Sequence, residues 1–219
     1  MDVWLNRGSM DVEALDRAIA GAQKGDTSCL DRIIDSYADR LFGFLYRMTG
    51  SRHDAEDLMQ EVFIRLVRTI SAYQHDGRFE AWFFRIAANL ARDRLRRIRR
   101  GPKFLSVAGD PDDDERGGDS GGIARIGSEV KPVDAALQRA EEMDALGAAM
   151  LKLPDAEREV VMLRHFSQMS FKEIAESTGV PLGTALARGH RGLGKLRAIM
   201  MAGQNDTDSA CDETVGAEE

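Results

Sequence analysis

One short stretch of the sequence, residues 78–101 (RFEAWFFRIAANLARDRLRRIRRG), contains three adjacent aromatic residues followed by seven arginines. Aromatic rings stack on unpaired bases, and guanidinium groups bind phosphates and also stack, so this combination is typical of a surface that holds single-stranded nucleic acid. Two of the rings, Trp82 and Phe83, are expected to belong to the hydrophobic core. Among the arginines there is one acidic residue, Asp93, so an ordinary solvated helix face is the weaker interpretation.

The chain as a whole is acidic, with 30 Lys and Arg against 37 Asp and Glu in 219 residues and a formal net charge of −7. Salt screens charges over roughly 10 Å, so the local arginine cluster matters more than the total. Two distant cysteines, Cys29 and Cys211, favour a reducing, cytoplasmic compartment over a disulfide framework or a structural zinc site. No apolar run approaches the ~20 residues that a membrane-spanning helix needs, so we expect no membrane insertion.

Motifs for catalysis are missing from the sequence. There is no glycine-rich phosphate-binding loop at a helix start and no nucleophile motif. The four histidines, His53, His75, His165 and His190, lack metal-ligand spacing. We therefore expect no catalytic residue, no metal site and no cofactor, and the chain is not predicted to be an enzyme.

The elements that must position the arginines are helical. Apolar residues recur every three or four positions through residues 11–100 and again through 134–200, and no segment alternates with period two. Residues 101–133 are rich in Gly, Asp, Ser and Pro and have too few large apolar side chains to build a core. The pattern predicts an all-α protein with two small helical domains, a flexible linker with an acidic segment at Asp110–Glu115, and a disordered acidic tail at 201–219.

A helix-turn-helix is predicted near the end of the second domain. Ser170 and Glu173 have the spacing of a capping box, and Gly179 can end the short helix that they begin. A second helix follows from about Leu182 to Met200 and carries basic side chains. This arrangement is typical of duplex-DNA binding in the major groove, although a plain helical hairpin has a similar pattern.

Three stretches in this order resemble an extracytoplasmic-function (ECF, group IV) sigma factor of bacterial RNA polymerase. They are DAEDLMQEVFIRLVR, FEAWFFRIAANLARDRLRR and LPDAEREVVMLRHFSQMSFKEIAESTGVPLGT. Residues 11–100 resemble sigma region 2 and residues 134–200 resemble sigma region 4. The resemblance implies a protein that binds core RNA polymerase and directs promoter-specific initiation, recognising the −35 element and melting the −10 element. No segment resembles sigma region 1.1 or region 3.

The resemblance assigns the opening stretch to the −10 element. Its loop, residues 71–80, matches the family's loop that captures a flipped promoter base, which needs polar edges and an apolar wall. Asn89 aligns with a position that reads the −10 element, but a plain surface amide explains it equally well. The expected −10 DNA-binding residues are Tyr73, His75, Arg78, Phe79, Arg85, Asn89, Arg92 and Arg96.

The resemblance also implies contacts with core polymerase. In the family, the exposed side of the helix at 54–70 binds the coiled coil of the β′ subunit, and the β subunit is a second contact. The expected polymerase-binding residues are Asp57, Gln60, Glu61 and Arg65. For any single one of them, a solvated charge on an amphipathic helix is an equally good interpretation.

Region 4 would read the −35 element through its second helix. The expected −35 DNA-binding residues are Thr184, Arg188, His190, Arg191 and Lys195. Here the chain departs from the family pattern, because Leu186 and Ala187 replace polar positions and Gly189, Gly192 and Gly194 interrupt the helix. Each interior glycine costs a helix roughly 0.5–1 kcal/mol relative to alanine, so we expect a recognition helix that is loose when free.

Partners and alternatives follow from the same resemblance. Family members are commonly masked by an anti-sigma factor, so such a partner is expected beside core RNA polymerase and promoter DNA. The acidic linker segment would imitate nucleic acid in a basic polymerase channel, or serve only as a spacer. A free-standing helix-turn-helix regulator that binds duplex DNA alone is the competing class, and an adaptor that binds only protein is the third.

Overall fold

The computed structural model describes residues 10–100 and 144–212, with side chains placed up to residue 202. We call residues 10–100 the N-domain and residues 144–212 the C-domain. The expected linker at 101–133 and the last tail residues lie outside the described residues. All regular structure in the described ranges is helical, which confirms the all-α prediction. The N-domain contains α1 (Val12–Gln23), α2 (Thr27–Thr49), α3 (Arg52–Thr69), a short 3-10 turn (Ile70–Ala72) and α4 (Phe79–Arg100).

The N-domain helices begin and end at residues suited to those positions. Asp11 accepts a hydrogen bond from the backbone of Ala14 at 2.7 Å and caps α1, and Asp26 caps α2 in the same way. Gly50 ends α2 with φ 74°, a left-handed conformation that glycine adopts without strain. Ser51 then caps α3 at once, so the chain turns from α2 into α3 within two residues.

The aromatic residues form the centre of the N-domain core. Tyr37 and Phe44 of α2 face Phe83 and Phe84 of α4, and all four side chains are fully buried. The rings meet edge to face or tilted, with centroids 5.4 Å apart for Tyr37 and Phe83 and 5.3 Å apart for Phe44 and Phe84. Such pairs add about 0.5–1.5 kcal/mol beyond the area that they bury. The core therefore holds α4 by its apolar side and leaves its arginine side outward.

The C-domain consists of α5, described over 144–151, then α6 (Asp155–Phe166), α7 (Phe171–Thr178) and α8 (Leu182–Asp212). The expected capping box is present, since Ser170 and Glu173 each cap the other's backbone N–H. Gly179 ends α7 with φ 68°, also as expected. However, α8 continues to Asp212, so its helical backbone extends into the segment 201–219 that was expected to be a disordered tail. Backbone hydrogen bonds join each turn of this helix to the next, and these bonds do not require an apolar pattern in the side chains.

Two glycines of α8, Gly189 and Gly192, have a packing role that the sequence did not reveal. A Cβ at Gly189 would lie 2.6 Å from the Phe171 ring, and one at Gly192 would lie 2.9 Å from Val161 and 3.2 Å from the Glu157 carbonyl oxygen. Only a residue without a Cβ allows α8 to lie this close to α6 and α7. The expectation of a loose helix therefore misses the compensation that close packing provides. At Gly194 an added Cβ would meet nothing within 4 Å.

The two domains pack directly against each other. Phe166, at the end of α6, lies among Phe44, Phe84 and Arg47 of the N-domain. Its ring centroid is 5.8 Å from that of Phe44, 6.3 Å from that of Phe84 and 5.9 Å from the guanidinium carbon of Arg47. Its carbonyl oxygen accepts a hydrogen bond from Arg40 Nη2 at 2.9 Å. The interface thus combines an aromatic anchor with a polar contact, and the apolar core continues from one domain into the other.

Arg158 of α6 makes the second anchor between the domains. Its guanidinium is buried and donates to the carbonyl oxygens of Met48 at 2.6 Å and Leu153 at 3.1 Å and to Asp155 at 2.9 Å. Met48 lies in the last turn of α2, where carbonyl groups lack helical partners and the helix dipole favours a cation. Burial lowers the pKa of Arg158, opposed by the charge of Asp155.

None of the helices in the described ranges is long and apolar enough to cross a membrane.

Candidate nucleic-acid interface

The basic face of α4 is built by helical spacing. Arg85, Asn89, Arg92 and Arg96 follow one another at intervals of three or four residues, which places them on one side of the helix. Arg85 and Asn89 are exposed, and Arg92 Nη1 donates to Asn89 Oδ1 at 3.1 Å. Arg96 is 57% exposed and lies 4.0 Å from Asp93, at the limit of an ion pair. The structure therefore brings these four predicted residues together on one surface.

The loop before α4 is held by α1. The backbone carbonyl oxygen of Tyr73 accepts a hydrogen bond from Gln23 Nε2 at 2.6 Å. His75 Nε2 lies 2.7 Å from Asp16 Oδ1, within hydrogen-bond distance. The Tyr73 ring lies 4.4 Å from the Trp82 ring, and burial raises the pKa of Tyr73 to about 12. The loop is thus braced from a helix that sequence reasoning did not connect with it.

Phe79 is a correction to the predicted site. Its ring is 1% exposed and stacks on Phe83 with centroids 5.7 Å apart, so it presents no face to a base in this arrangement. Phe84 is also buried, whereas Trp82, expected in the core, is only half-buried. Helical rotation explains the exchange. Phe79 and Phe83 contact Tyr37 of α2 and Phe84 contacts Phe44 of α2, whereas Trp82 lies against Tyr73 at the loop.

Three arginines of the N-domain are paired with acids of the C-domain. Arg92 donates through Nε and Nη2 to Glu159 of α6, Arg99 lies 2.5 Å from Asp155, and Arg78 lies 2.6 Å from Glu173 of α7. Burial by itself would raise the pKa of Glu173, but hydrogen bonds from Ser170 and Arg78 hold it below its ordinary value. Two of the predicted −10 residues, Arg78 and Arg92, are therefore occupied by carboxylates.

The predicted polymerase-binding residues lie on the outer side of α3. Gln60, Glu61 and Arg65 are exposed, as predicted for a free surface. Asp57 is also exposed but lies 3.2 Å from Arg94 Nη2, which is itself bound to Asp54. The sequence analysis missed two exposed apolar side chains on this side, Ile64 and Val67, which are 50% and 48% exposed.

The predicted −35 residues divide between two environments in α8. Arg191 Nε lies 3.3 Å and Lys195 Nζ 2.8 Å from the carboxylate of Glu157 in α6. Hydrogen bonding by Lys195, with a contribution from Arg191, lowers the pKa of Glu157 against the opposing effect of burial. His190 is exposed, while Thr184 and Arg188 are half-buried.

The sequence analysis missed the acids of α6 as ion-pair partners of the basic helices α4 and α8. Asp155 and Glu159, four positions apart, face α4, whereas Glu157 faces α8. The motif DAERE carried a signal, namely three acids at alternate positions. That signal was ambiguous, because acids in a first helical turn are expected for the helix dipole alone.

Comparison with known proteins decides the family. Residues 33–101 match the family Sigma-70 region 2, and residues 143–196 match Sigma-70, region 4. The ECF RNA polymerase sigma factor SigW of Bacillus subtilis is 34% identical over 184 residues, which cover 83% of this chain and 94% of that protein. The chain belongs to the ECF sigma factors of the sigma-70 family. CarQ of Myxococcus xanthus, an RNA polymerase sigma factor, is 32% identical over 80% of this chain and 91% of that protein.

Solved structures support the fold of this ECF sigma factor. The complex of the sigma factor RpoE with the anti-sigma factor NepR from Bartonella quintana matches with a TM-score of 0.54 and 20% identity, covering 78% of this chain and 96% of that chain. CnrH in complex with the cytosolic domain of CnrY matches with a TM-score of 0.53 and 22% identity, covering 86% and 98%.

An ECF sigma factor binds core RNA polymerase and directs promoter-specific transcription initiation, and this is the function of the chain. Family membership does not favour the alternative of a free-standing regulator. Sigma factors as a family are initiation factors and not enzymes.

Proposed function

We propose that the basic face of α4 and the loop at 73–78 together hold the melted non-template strand of the −10 element. The observation that carries this proposal is the convergence of Arg85, Asn89 and Arg96 on one exposed helix side. Guanidinium groups neutralise phosphates, and a helix face with regular spacing follows a strand backbone. The strand would run along α4 towards the loop.

The flipped base would be received beside the Tyr73–Trp82 ring pair. Both rings are half-buried, so each keeps a surface that a base can stack on, and stacking contributes about 1–3 kcal/mol per base. His75 and Arg78 supply polar edges at the same loop. Phe79 has a supporting role in this site, because it packs under Trp82 with ring centroids 5.6 Å apart.

The second DNA contact would be made by α8 in the major groove of the −35 element. Thr184, Arg188, Arg191 and Lys195 recur at helical spacing, and His190 lies on the exposed surface beside them. Arginine recognises guanine through a two-pronged hydrogen bond, and lysine contacts phosphate. The ion pairs of Glu157 with Arg191 and Lys195 hold these two side chains in place before DNA arrives.

The polymerase would bind the outer side of α3. Exposed Ile64 and Val67 add an apolar strip to the polar residues Gln60, Glu61 and Arg65, and interface centres combine these features. Asp57 would reach the same partner while bound to Arg94. The β′ coiled coil is the expected ligand of this surface, with the β subunit contacting the C-domain.

An anti-sigma factor is the remaining proposed partner. The RpoE structure from Bartonella quintana is a complex with the anti-sigma factor NepR, and its fold matches this chain. The place of action that follows from these partners is the bacterial cytoplasm, where the polymerase and promoters are found.

The test is in vitro transcription with core polymerase, combined with variants of α4 that do not pair with the C-domain. We expect promoter-specific transcripts only when core enzyme and this chain are both present. Replacing Arg85 and Arg96 by Ala should lower open-complex formation, read by permanganate reactivity, at least about tenfold with little change in polymerase binding, because phosphate contacts are lost.

The matched control replaces Arg17 and Arg32, two exposed arginines on α1 and α2, by Ala. This pair should leave open-complex formation within about twofold of the unmodified protein, since the change in net charge is the same but neither arginine lies on α4 or in the loop before it. Equal losses in both variants, or equal loss of polymerase binding and opening in the α4 variant, would contradict the assignment. A strong gel shift on duplex DNA by the chain alone would favour the free-standing regulator.

A further inference from the structure

The contact between the domains occupies two of the predicted −10 side chains, Arg78 and Arg92, and a further arginine of α4, Arg99. Glu159 binds Arg92 in the middle of α4, Asp155 binds Arg99 near its end, and Glu173 binds Arg78 in the loop before it. These three carboxylates come from two different helices of the C-domain, α6 and α7. They follow the basic face from its beginning to its end, as the phosphates of a bound strand would.

The docking is specific because an apolar anchor sets its position. Phe166 enters the N-domain between Phe44 and Phe84, and Arg40 binds its carbonyl oxygen. Glu159 is buried by this contact, with 9% of its side chain exposed, so its pair with Arg92 is shielded from water. Ion pairs on an open surface are weak, whereas shielded pairs with hydrogen bonds are lost only when the whole contact opens.

We propose that the acidic side chains of the C-domain, Asp155, Glu159 and Glu173, stand in for DNA phosphates on the N-domain, so that the docked arrangement and the −10 strand compete for Arg78, Arg92 and Arg99. This inference rests on the proposed function of α4. The interaction surface is the acidic side of α6 and α7, and its partner is the basic face of the same chain.

Competition follows from donor geometry. Each of these guanidinium groups directs N–H donors to a carboxylate, and at Arg92, which is 27% exposed, α6 also occupies space from which a phosphate would approach. The affinity of the free chain for single-stranded DNA is then reduced by the fraction of molecules that are open. Polymerase binding, which separates the two domains to contact two promoter elements, removes that reduction.

The first experiment measures DNA affinity after the acids are neutralised. The variant Asp155→Asn, Glu159→Gln, Glu173→Gln is compared with the control Asp31→Asn, Asp35→Asn, Glu176→Gln, which makes the same change in net charge at exposed acids outside the contact. Binding of a fluorescein-labelled single-stranded oligonucleotide is read by anisotropy at fixed salt. We expect affinity to rise at least about tenfold in the first variant and no more than about twofold in the control.

The second experiment opens the contact without changing any charge. Phe166→Ala removes the anchor, and energy transfer between dyes on Asp39→Cys and Lys172→Cys, with Cys29 and Cys211 replaced by Ser, reports the distance between the domains. Circular dichroism confirms that both domains stay helical. We expect lower transfer efficiency and a rise in DNA affinity comparable to that of the acid variant.

Three results would overturn the proposal. One is a fall in transfer efficiency with unchanged DNA affinity, and another is equal affinity in the acid variant and its charge-matched control. The third is unchanged transfer efficiency in the Phe166→Ala variant. Transcription with core polymerase separates this failure from that of the proposed function: promoter-specific transcripts from the unmodified chain would leave the sigma assignment intact, while their absence would remove it.

Discussion

The basic faces of α4 and α8 are both paired with acids of α6, but the two sets of ion pairs connect different things. Glu159 and Asp155 bind Arg92 and Arg99 across the domain interface, whereas Glu157 binds the basic side of α8 inside the C-domain. Opening the interface therefore releases the arginines of α4. It leaves the pairs of α8 as they are.

This difference shows that acids on two sides of one helix, α6, can bind two different partners. Positions 155 and 159 are one turn apart and share a side, while position 157 lies on the opposite side. In our proposal, the acids that face α4 bind its arginines reversibly and release them when the domains separate. The acid that faces α8 acts as a support that holds Arg191 and Lys195 in position.

The largest expected effect comes from removing the buried anchor of the interface. Arg158→Ala leaves the carbonyl oxygens of Met48 and Leu153 without their donor, and we expect a loss of about 3 kcal/mol in the free energy of unfolding. Calorimetry should show the N-domain and C-domain melting together in the unmodified chain and separately in the variant.

The control for this change is Arg52→Ala. Arg52 makes an exposed pair with Glu56 one helical turn away, and such pairs contribute less than about 1 kcal/mol. A single cooperative transition in Arg158→Ala would show that contacts other than those of Arg158 couple the N-domain to the C-domain.

The next effect concerns the close packing of α8 against α6. Gly192→Ala forces a Cβ against Val161 and the Glu157 carbonyl oxygen, and we expect a cost of about 1–3 kcal/mol in stability. Gly194→Ala, two residues away in open space, should instead stabilise by about 0.5–1 kcal/mol. Thermal unfolding measures both. A gain in stability at position 192 would contradict the close packing that the structure shows.

A smaller effect concerns the loop of the N-domain. Asp16→Ala removes the partner of His75, and a lost hydrogen bond of about 0.5–1.5 kcal/mol should weaken −10 strand binding roughly two- to tenfold. If Asp16 is a positioning residue, discrimination between bases at the flipped position falls while the melting temperature changes little. Restoration of discrimination by Asp16→Asn would support the role, and a fall in stability without any change in discrimination would oppose it.

The smallest effect is a pH dependence in the C-domain. The pKa of Glu157 is lowered in the folded state, so its contribution to stability is full above the ordinary value of 4.5 and is lost as the pH falls below it. Glu157→Gln should remove that part of the pH dependence of the free energy of unfolding between about pH 3 and pH 6, the range of carboxyl titration. An unchanged slope would mean that Lys195 and Arg191 do not interact with this carboxylate in solution.

Much of the fold was predictable because it depends on local signals. The helical period, the capping box of Ser170 and Glu173 and the helix-ending glycine Gly179 identified helices and their ends before any contact was known. The arginine spacing of α4 likewise follows from chain order. The roles assigned to these residues in DNA and polymerase binding remain predictions.

Other features depended on which surfaces meet. Val67 shares the apolar pattern of α3 with its core residues, yet it is 48% exposed, and Phe79 is buried although its loop position suggested a binding site. The apolar pattern of one helix does not predict how much of its circumference is buried, because that fraction depends on the neighbouring helices. Gly192 shows the same limit, since its cost in a free helix is offset by a close contact with α6.

The sequence by itself determined that this is an all-helical sigma factor with an arginine-rich helix and a helix-turn-helix, because period, caps and charge order are properties of neighbouring residues. Only the tertiary structure decided that Glu159 and Asp155 cover α4 while Glu157 supports α8. The physical reason is that ion pairing depends on distance in space. Arg92 and Glu159 are 67 positions apart in the chain, and packing around Phe166 brings them together.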